Sequence, residues 1–288
     1  MNYLLEVKNL RKEYPGFTLK NISFILEKGY IMGFIGPNGA GKSTTIKLIM
    51  NLLKRDGGEI KVFGKDNIRD EVSIKERIGF VYDENYFYEE LTVSEMKRII
   101  APFYQKWDET LFWHYAKTFE LPLKKKIKTL SKGMKMKFSL ALALSHQADF
   151  IIMDEPTSGL DPVFRSEILE ILAEIMQDEN KGVLFSTHIT SDLDKIADYI
   201  TFIHQGEIVF TGPKDDLVET YGIVKGPKAL LTRERQKEFI GLRENEFGFE
   251  ALTSDISRAR QLFGDRVIVK KPSLEEIMLY TVRGSRNV

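Results

Sequence analysis

Eight residues carry the strongest chemical signal in this 288-residue chain: Gly36, Pro37, Asn38, Gly39, Ala40, Gly41, Lys42 and Ser43, followed by Thr44. The spacing fits G-x-x-x-x-G-K-[ST]. Glycines let successive backbone N–H groups curl around a polyphosphate without Cβ clashes. A helix opening at Lys42 points its unsatisfied N–H groups at the same anion. Lys42 is placed to reach the β- and γ-phosphates, and the Ser43 hydroxyl to ligate Mg²⁺. The second signal is Phe150-Ile151-Ile152-Met153-Asp154-Glu155, an apolar run opening onto two carboxylates. Burying a strand that ends in two acids is costly unless they meet a cation. Asp154 is placed to hold the Mg²⁺ shell, and Glu155 to orient or deprotonate an attacking water. A plain strand end with a helix-capping acid is the structural alternative.

The elements that must position these groups follow from the apolar pattern. Ile31–Ile35 reads as a short buried strand before the glycines, and Ser43–Leu53 has helical spacing after them. Leu4–Val7, Leu19–Leu26, Glu59–Phe63, Ile78–Tyr82, Phe150–Met153 and Val183–Ser186 read as strands, with a helix over Phe164–Gln177. Ile200–His204 and Glu207–Thr211 form a hairpin through Gln205-Gly206. Asp83–Gln147 is mostly helical. Strands alternating with helices predict a mainly parallel α/β core with a helical insertion. Past Gly222 the chain has its own signals, Val267–Val269 and Ser273–Tyr280, and reads as a small α+β appendage.

Composition narrows the function. Lys+Arg and Asp+Glu each number 42, so no charge bias favours nucleic acid. Cysteine is absent, which excludes disulfides and thiolate metal sites. No apolar run approaches the roughly 18 residues of a membrane span. Glu6 follows the start too closely for a signal peptide, so the chain is expected in the cytoplasm.

Further motifs line up in a fixed order. They are Leu130-Ser131-Lys132-Gly133-Met134, then Ser158-Gly159-Leu160-Asp161, then His188 after Ser186-Thr187, with Tyr14 near the start. With the phosphate loop and the acidic pair, the chain resembles the ATP-binding subunit of an ABC transporter over residues 4 to 215. The resemblance implies a P-loop NTPase (RecA-like) α/β core with an antiparallel β subdomain and an inserted helical subdomain. It places the cassette at 1–220, its helical part at about 84–148, and the appendage at 221–288. It implies ATP and Mg²⁺ as cofactors, and Glu155 and His188 as the catalytic pair. Tyr14 is implied as the aromatic that stacks on adenine. Ser131, Lys132, Gly133 and Met134 resemble the LSGGQ signature, which caps the γ-phosphate held by a second cassette. Ser158 and Asp161 resemble the loop that shapes the contact between cassettes.

Two departures stand out. The family carries glutamine where this chain has Asp83, which either ligates Mg²⁺ as a carboxylate or is a solvated acidic turn with the ligand lost. Lys132 and Met134 replace glycine and glutamine of the signature. The aromatic stretch Tyr82 to Tyr88 suits a groove for a partner helix, or the packing of a small helical subdomain. The lysines from Lys124 to Lys128 read as a solvated face.

The expectation is an ATPase subunit driving export through a separate membrane-spanning permease. It would work with a second cassette at the cytoplasmic side of the membrane. The chain is also similar to small bacterial peptide exporters of the phenol-soluble-modulin type. The alternatives are a soluble ABC-type ATPase and a nucleotide-sensing regulator. One phosphate loop, no heptad stretch and no basic bias count against the first; Glu155 and His188 count against the second.

Overall fold

A computed structural model describes residues 3–82 and 86–284. The chain opens with β1 (Tyr3–Tyr14) and β2 (Phe17–Glu27), a long antiparallel hairpin. β3 (Ile31–Ile35) follows, then α1 (Lys42–Ile49), β4 (Gly57–Val62), β5 (Lys65–Asp66), α2 (Glu71–Lys75) and β6 (Ile78–Val81). The helical insertion comprises α3 (Val93–Ile100), α4 (Glu109–Thr118) and α5 (Lys132–Ser145). The chain re-enters the core through β7 (Phe150–Asp154), α6 (Pro162–Ile175), β8 (Gly182–Thr187), α7 (Thr190–Ile196), β9 (Tyr199–His204) and β10 (Glu207–Pro213).

After α8 (Lys214–Thr220) come β11 (Gly222–Gly226), α9 (Arg233–Gln236), β12 (Gly241–Glu244) and β13 (Phe249–Thr253). The last elements are α10 (Ile256–Phe263), β14 (Ile268–Lys270) and α11 (Leu274–Gly284).

Three sheets result, ordered β2-β1-β4-β5, β10-β9-β3-β8-β7-β6 and β12-β13-β11-β14. The middle sheet is parallel from β9 to β6, and only β10 runs against it. Its strands β3, β7 and β8 are buried at every position, as a sheet covered on both faces requires.

The register decides where chemistry collects. Ile35 pairs with Thr187, Asp154 with Ser186 and Val81 with Met153. The carboxyl ends of four parallel strands therefore finish on one edge, where open α/β sheets bind ligands.

The elements differ from the sequence reading at several places. β1 runs to Tyr14 rather than stopping at Val7. Register shifts after Val7 and Leu10, with Asn9 at φ 48°, break the alternation that would have revealed the rest. The helix after the phosphate loop ends at Ile49 rather than Leu53, because Asn51 turns left-handed at φ 52°. The short helices α2 and α7 gave too few periodic positions to be read.

The last sheet does not stand apart. Leu217, Ile223, Leu252, Leu274 and Ile277 share one apolar cluster with Leu193, Val183 and Phe185 of the parallel core. A second, small cluster of Phe249, Phe263 and Val224 fills its other face.

Candidate functional site

The phosphate loop is shaped by close backbone approach. A Cβ on Gly36 would lie 2.3 Å from the Ile203 carbonyl oxygen, so glycine is required there. Gly41 caps α1 at φ 114°, a conformation that side chains rarely adopt. No side chain caps α1, and no acid occupies its first turn. The helix start thus presents N–H donors and positive dipole to an anion. Ala40, Gly41 and Lys42 are buried, whereas Asn38 and Gly39 are exposed. Thr44 is half-buried beside Ser43.

Lys42 is only 5% exposed. Its Nζ donates to the Gly36 carbonyl at 2.7 Å and to that of Pro37 at 3.4 Å. It also lies 3.1 Å from Glu155 Oε1. That contact is an ion pair without hydrogen-bond alignment, since Oε1 is buried and has no hydrogen-bond partner.

Asp154 ends β7 and is 2% exposed. Burial pushes its carboxyl above the usual range, while the Ser43 and Ser186 hydroxyls oppose the rise. Ser186 donates to Asp154 Oδ1 at 2.9 Å. Glu155 stands at φ 49°, a left-handed conformation that costs a non-glycine residue free energy and turns the chain out of the strand. Its Oε2 accepts from the His188 backbone N–H at 3.3 Å and meets His188 Nδ1 at 2.7 Å. A proton at Nδ1 leaves the neutral ring's lone pair on Nε2.

The donor set of these positions suits a nucleotide with Mg²⁺. A buried carboxylate and a hydroxyl (Asp154 and Ser43) offer the hard oxygens that Mg²⁺ prefers. The buried Glu155 Oε1, paired with Lys42 but without a hydrogen bond, and the uncapped helix start offer an acceptor and donors for water and phosphate. The residues present fit the group. Asp83, expected as a further Mg²⁺ ligand, lies outside the described residues.

Ser131 caps α5, its hydroxyl accepting from the Met134 N–H at 3.2 Å. The first turn of α5 carries no acid. Gly133 is packed on Phe164, whose ring would lie 3.0 Å from an added Cβ. Lys132 extends its Nζ to 3.9 Å from where a Cβ on Gly159 would sit. Ser131, Lys132, Gly133 and Met134 line a cleft of 410 Å³ together with Gly159 and Asp161. The structure thus joins the signature to the Ser158–Asp161 loop. Asp161 caps α6 by accepting from the Phe164 N–H at 3.0 Å, and Ser158 bonds back to the Glu155 carbonyl at 3.2 Å. No described residue of the phosphate loop lines this cleft.

Tyr14 ends β1 opposite Phe17, and a Cβ on Gly41 would meet the Phe17 ring at 3.0 Å. The hairpin end therefore borders the phosphate loop. One face of the Tyr14 ring carries the Lys12 ammonium, 5.4 Å from its centroid.

Sequence reasoning missed Ser186 and Thr157. Ser186 was inside a recognised strand, but only the register shows that it faces Asp154. Thr157 is fully buried, and its hydroxyl has no hydrogen-bond partner. Its place two residues after Glu155 was the available signal.

Comparison with known proteins gives a consistent result. The family described as "ABC transporter" matches residues 19–158. A second one, described as an AAA domain, matches residues 124–193, which is under a quarter of the chain. The linearmycin resistance ATP-binding protein LnrL of Bacillus subtilis is 36% identical over 225 residues, covering 76% of this chain and 72% of that protein. The bacitracin transport ATP-binding protein BcrA of Bacillus licheniformis is 30% identical, covering 75% and 72%. The lantibiotic transport ATP-binding protein SrtF of Streptococcus pyogenes is 31% identical, covering 72% and 89%. A solved structure of the ATP-binding subunit of an ABC transporter superposes with a TM-score of 0.69 at 31% identity, covering 75% of this chain and 92% of that one.

Proposed function

The chain belongs to the ABC transporter family as an ATP-binding subunit and ATPase, and from that footing we propose that it hydrolyses ATP between two cassettes to drive export through a membrane-spanning partner. The observation that carries this reading is the chain of contacts from Lys42 to Glu155 to His188 at the strand ends. It gathers a cation, a carboxylate and an imidazole around an uncapped helix start.

The roles follow from position. The loop from Gly36 to Thr44 and Lys42 bind the phosphates, and Tyr14 offers its free face to the adenine. Ser43 and Asp154 would hold Mg²⁺, which when bound would supply positive charge against the phosphates. Glu155 Oε1, free of hydrogen bonds, receives the proton of the attacking water. His188 is steered by Glu155 Oε2 and turns Nε2 toward the site. Ser131 and Gly133 at the start of α5 cap the nucleotide of the second cassette, with Ser158 and Asp161 at the contact. We read residues 1–220 as the cassette and 221–288 as an appendage to it.

For the membrane partner, Tyr86 and Tyr88 are the anchors. They are 68% and 67% exposed, whereas Phe87 between them packs on Phe138 at 4.8 Å. Tyr86 also packs on Tyr82 at 5.2 Å, so Phe87 and one side of Tyr86 fix the loop while exposed ring surface of Tyr86 and Tyr88 remains for a partner helix. No helix among the described residues is long and apolar enough to cross a membrane, which suits attachment at the cytoplasmic face through that partner. The relatives' names, for linearmycin resistance, bacitracin transport and lantibiotic transport, support antibiotics as the exported class.

The test is Glu155→Gln in the full chain. ATP should then hold two copies together, seen as a doubled mass on a sizing column, with phosphate release nearly lost. Hydrolysis at the wild-type rate would remove Glu155 from its role.

A further inference from the structure

The Ser158–Asp161 loop and His188 each lead into a helix, and those two helices are joined by one ion pair. α6 starts at Pro162 behind its Asp161 cap, and Arg165 sits in its first turn, its N–H bonding the Asp161 carbonyl at 3.0 Å. α7 starts at Thr190, two residues after His188, and Asp192 sits in its first turn. The Ile189 N–H before α7 is fixed by the Thr187 hydroxyl at 2.9 Å. Arg165 donates to Asp192 Oδ1 at 2.5 Å. We propose that Arg165 and Asp192 are positioning residues, which carry the state of the cassette contact at Ser158–Asp161 to His188.

The pair's chemistry sets it apart from an ordinary surface bridge. The Asp192 side chain is 5% exposed and that of Arg165 is 25% exposed. Surface pairs contribute little, but a buried carboxylate deprived of its partner costs several times more. The contact is also half-made. Asp192 Oδ2 is buried and has no hydrogen-bond partner. A guanidinium offers a planar fork that bonds both oxygens of a carboxylate. A small shift of α6 against α7 therefore takes the pair from one hydrogen bond to two. Such a step gives two discrete arrangements rather than a continuous drift.

The consequence reaches the reacting groups by short covalent paths. Asp192 is four residues from His188, and His188 touches Glu155 through both its N–H and Nδ1. Arg165 is four residues from Asp161. A second cassette pressing on Ser158–Asp161 would draw α6, complete the pair, and set His188 against Glu155. Each site would then hydrolyse only when the other chain is seated. The inference rests on the two-cassette reading above.

The test uses the full-length chain, steady-state ATP turnover and equilibrium binding of a fluorescent ATP analogue. Asp192→Asn keeps the shape and removes the charge. It should lower kcat about tenfold or more. It should also reduce the Hill coefficient from about 2 toward about 1, with nucleotide affinity unchanged. Asp192→Glu should restore cooperativity in part. Arg165→Lys, which keeps charge and loses the fork, should behave like Asp192→Asn. A merely structural pair would instead lower the melting temperature and the active fraction, leaving the Hill coefficient of the folded protein intact. That result, in Asp192→Asn or in Arg165→Lys should the first fail to fold, overturns the proposal. A wild-type chain that hydrolyses ATP without cooperativity removes the two-cassette reading itself, and this inference with it.

Discussion

The Lys42 ammonium lies 3.1 Å from Glu155 Oε1 while it donates to the Gly36 carbonyl at 2.7 Å. On the proposed roles, the cation for phosphate is held by the carboxylate for water. On that reading nucleotide competes with the pair, and binding frees Glu155. Replacing the charge of Glu155 therefore has two effects of opposite sense. Turnover falls, and ATP binds more tightly. Losing a competing contact of roughly 1.4 kcal/mol tightens binding about tenfold. Equilibrium titration of Glu155→Gln with a fluorescent nucleotide measures this. Equal or weaker affinity than wild type would show that the pair does not compete.

On its proposed role, Asp154 carries a stability cost that metal binding would offset. Burial raises its carboxyl, so the folded state holds its proton more strongly than the unfolded chain does. A group raised in this way stabilises the fold below its unfolded value near 3.8. That contribution is lost as pH climbs through the folded value. At neutral pH, above its unfolded value, the buried carboxyl therefore weighs against the empty protein. Asp154→Asn should raise the melting temperature of the nucleotide-free chain at pH 7. With ATP, the variant should lose the further rise that Mg²⁺ gives wild type. Thermal scans with and without Mg²⁺ separate the two effects.

Asp161 combines a local duty with the proposed contact between cassettes. Its carboxylate caps α6, and losing a cap costs about 1 kcal/mol. Asp161→Ala should lower stability by that amount and reduce turnover as well. Asp161→Asn keeps an oxygen for the cap and should keep the stability. Any turnover lost in the asparagine variant then belongs to the contact. If both variants turn over ATP like wild type, Asp161 is a helix cap and nothing more.

How much of this was legible from the chain depends on distance along it. The phosphate loop is local, since strand, glycines and helix lie within residues 31–49 and declare themselves together. The Phe150–Glu155 run was equally plain, and the family resemblance set Glu155 and His188 to one task. Long-range register was not legible. Ser186 meets Asp154 because β7 lies beside β8, and no periodicity within either strand says so. The bulges of β1 hid a strand of 12 residues behind an apparent one of four. α7 was too short to show a period, so the Arg165–Asp192 pair could not be drawn before the fold.

His146 gives a pH prediction. It follows α5, is 2% exposed, and stacks on Tyr104 with ring centroids 3.9 Å apart. Burial pulls its pKa down to about 4 from 6.5, against a hydrogen bond to the Glu76 backbone that acts the other way. The unfolded chain therefore takes up a proton first as pH falls. Stability is lost between about 6.5 and about 4, with a ceiling of about 3 kcal/mol from this one group. Urea midpoints across that range should slope downward in wild type. His146→Phe keeps a ring against Tyr104 and should flatten the slope. An unchanged slope assigns the acid sensitivity to other groups.

The last prediction concerns the elements after Gly222. Ile277 on α11 is 1% exposed and belongs to the same apolar cluster as Leu193 on α7 and Phe185 on β8. A separate appendage would unfold by itself and leave the parallel sheet intact. A shared cluster forbids that, because opening one part exposes the apolar face of the other. Ile277→Ala removes buried carbon at that junction, at a cost of about 2–5 kcal/mol. The cost should appear as one shifted transition, seen alike by a probe near Trp113 in the helical insertion and by one attached near Phe247. Two separate transitions, with only the second shifted, would show that the tail folds on its own account and that its packing on α7 contributes little to the core.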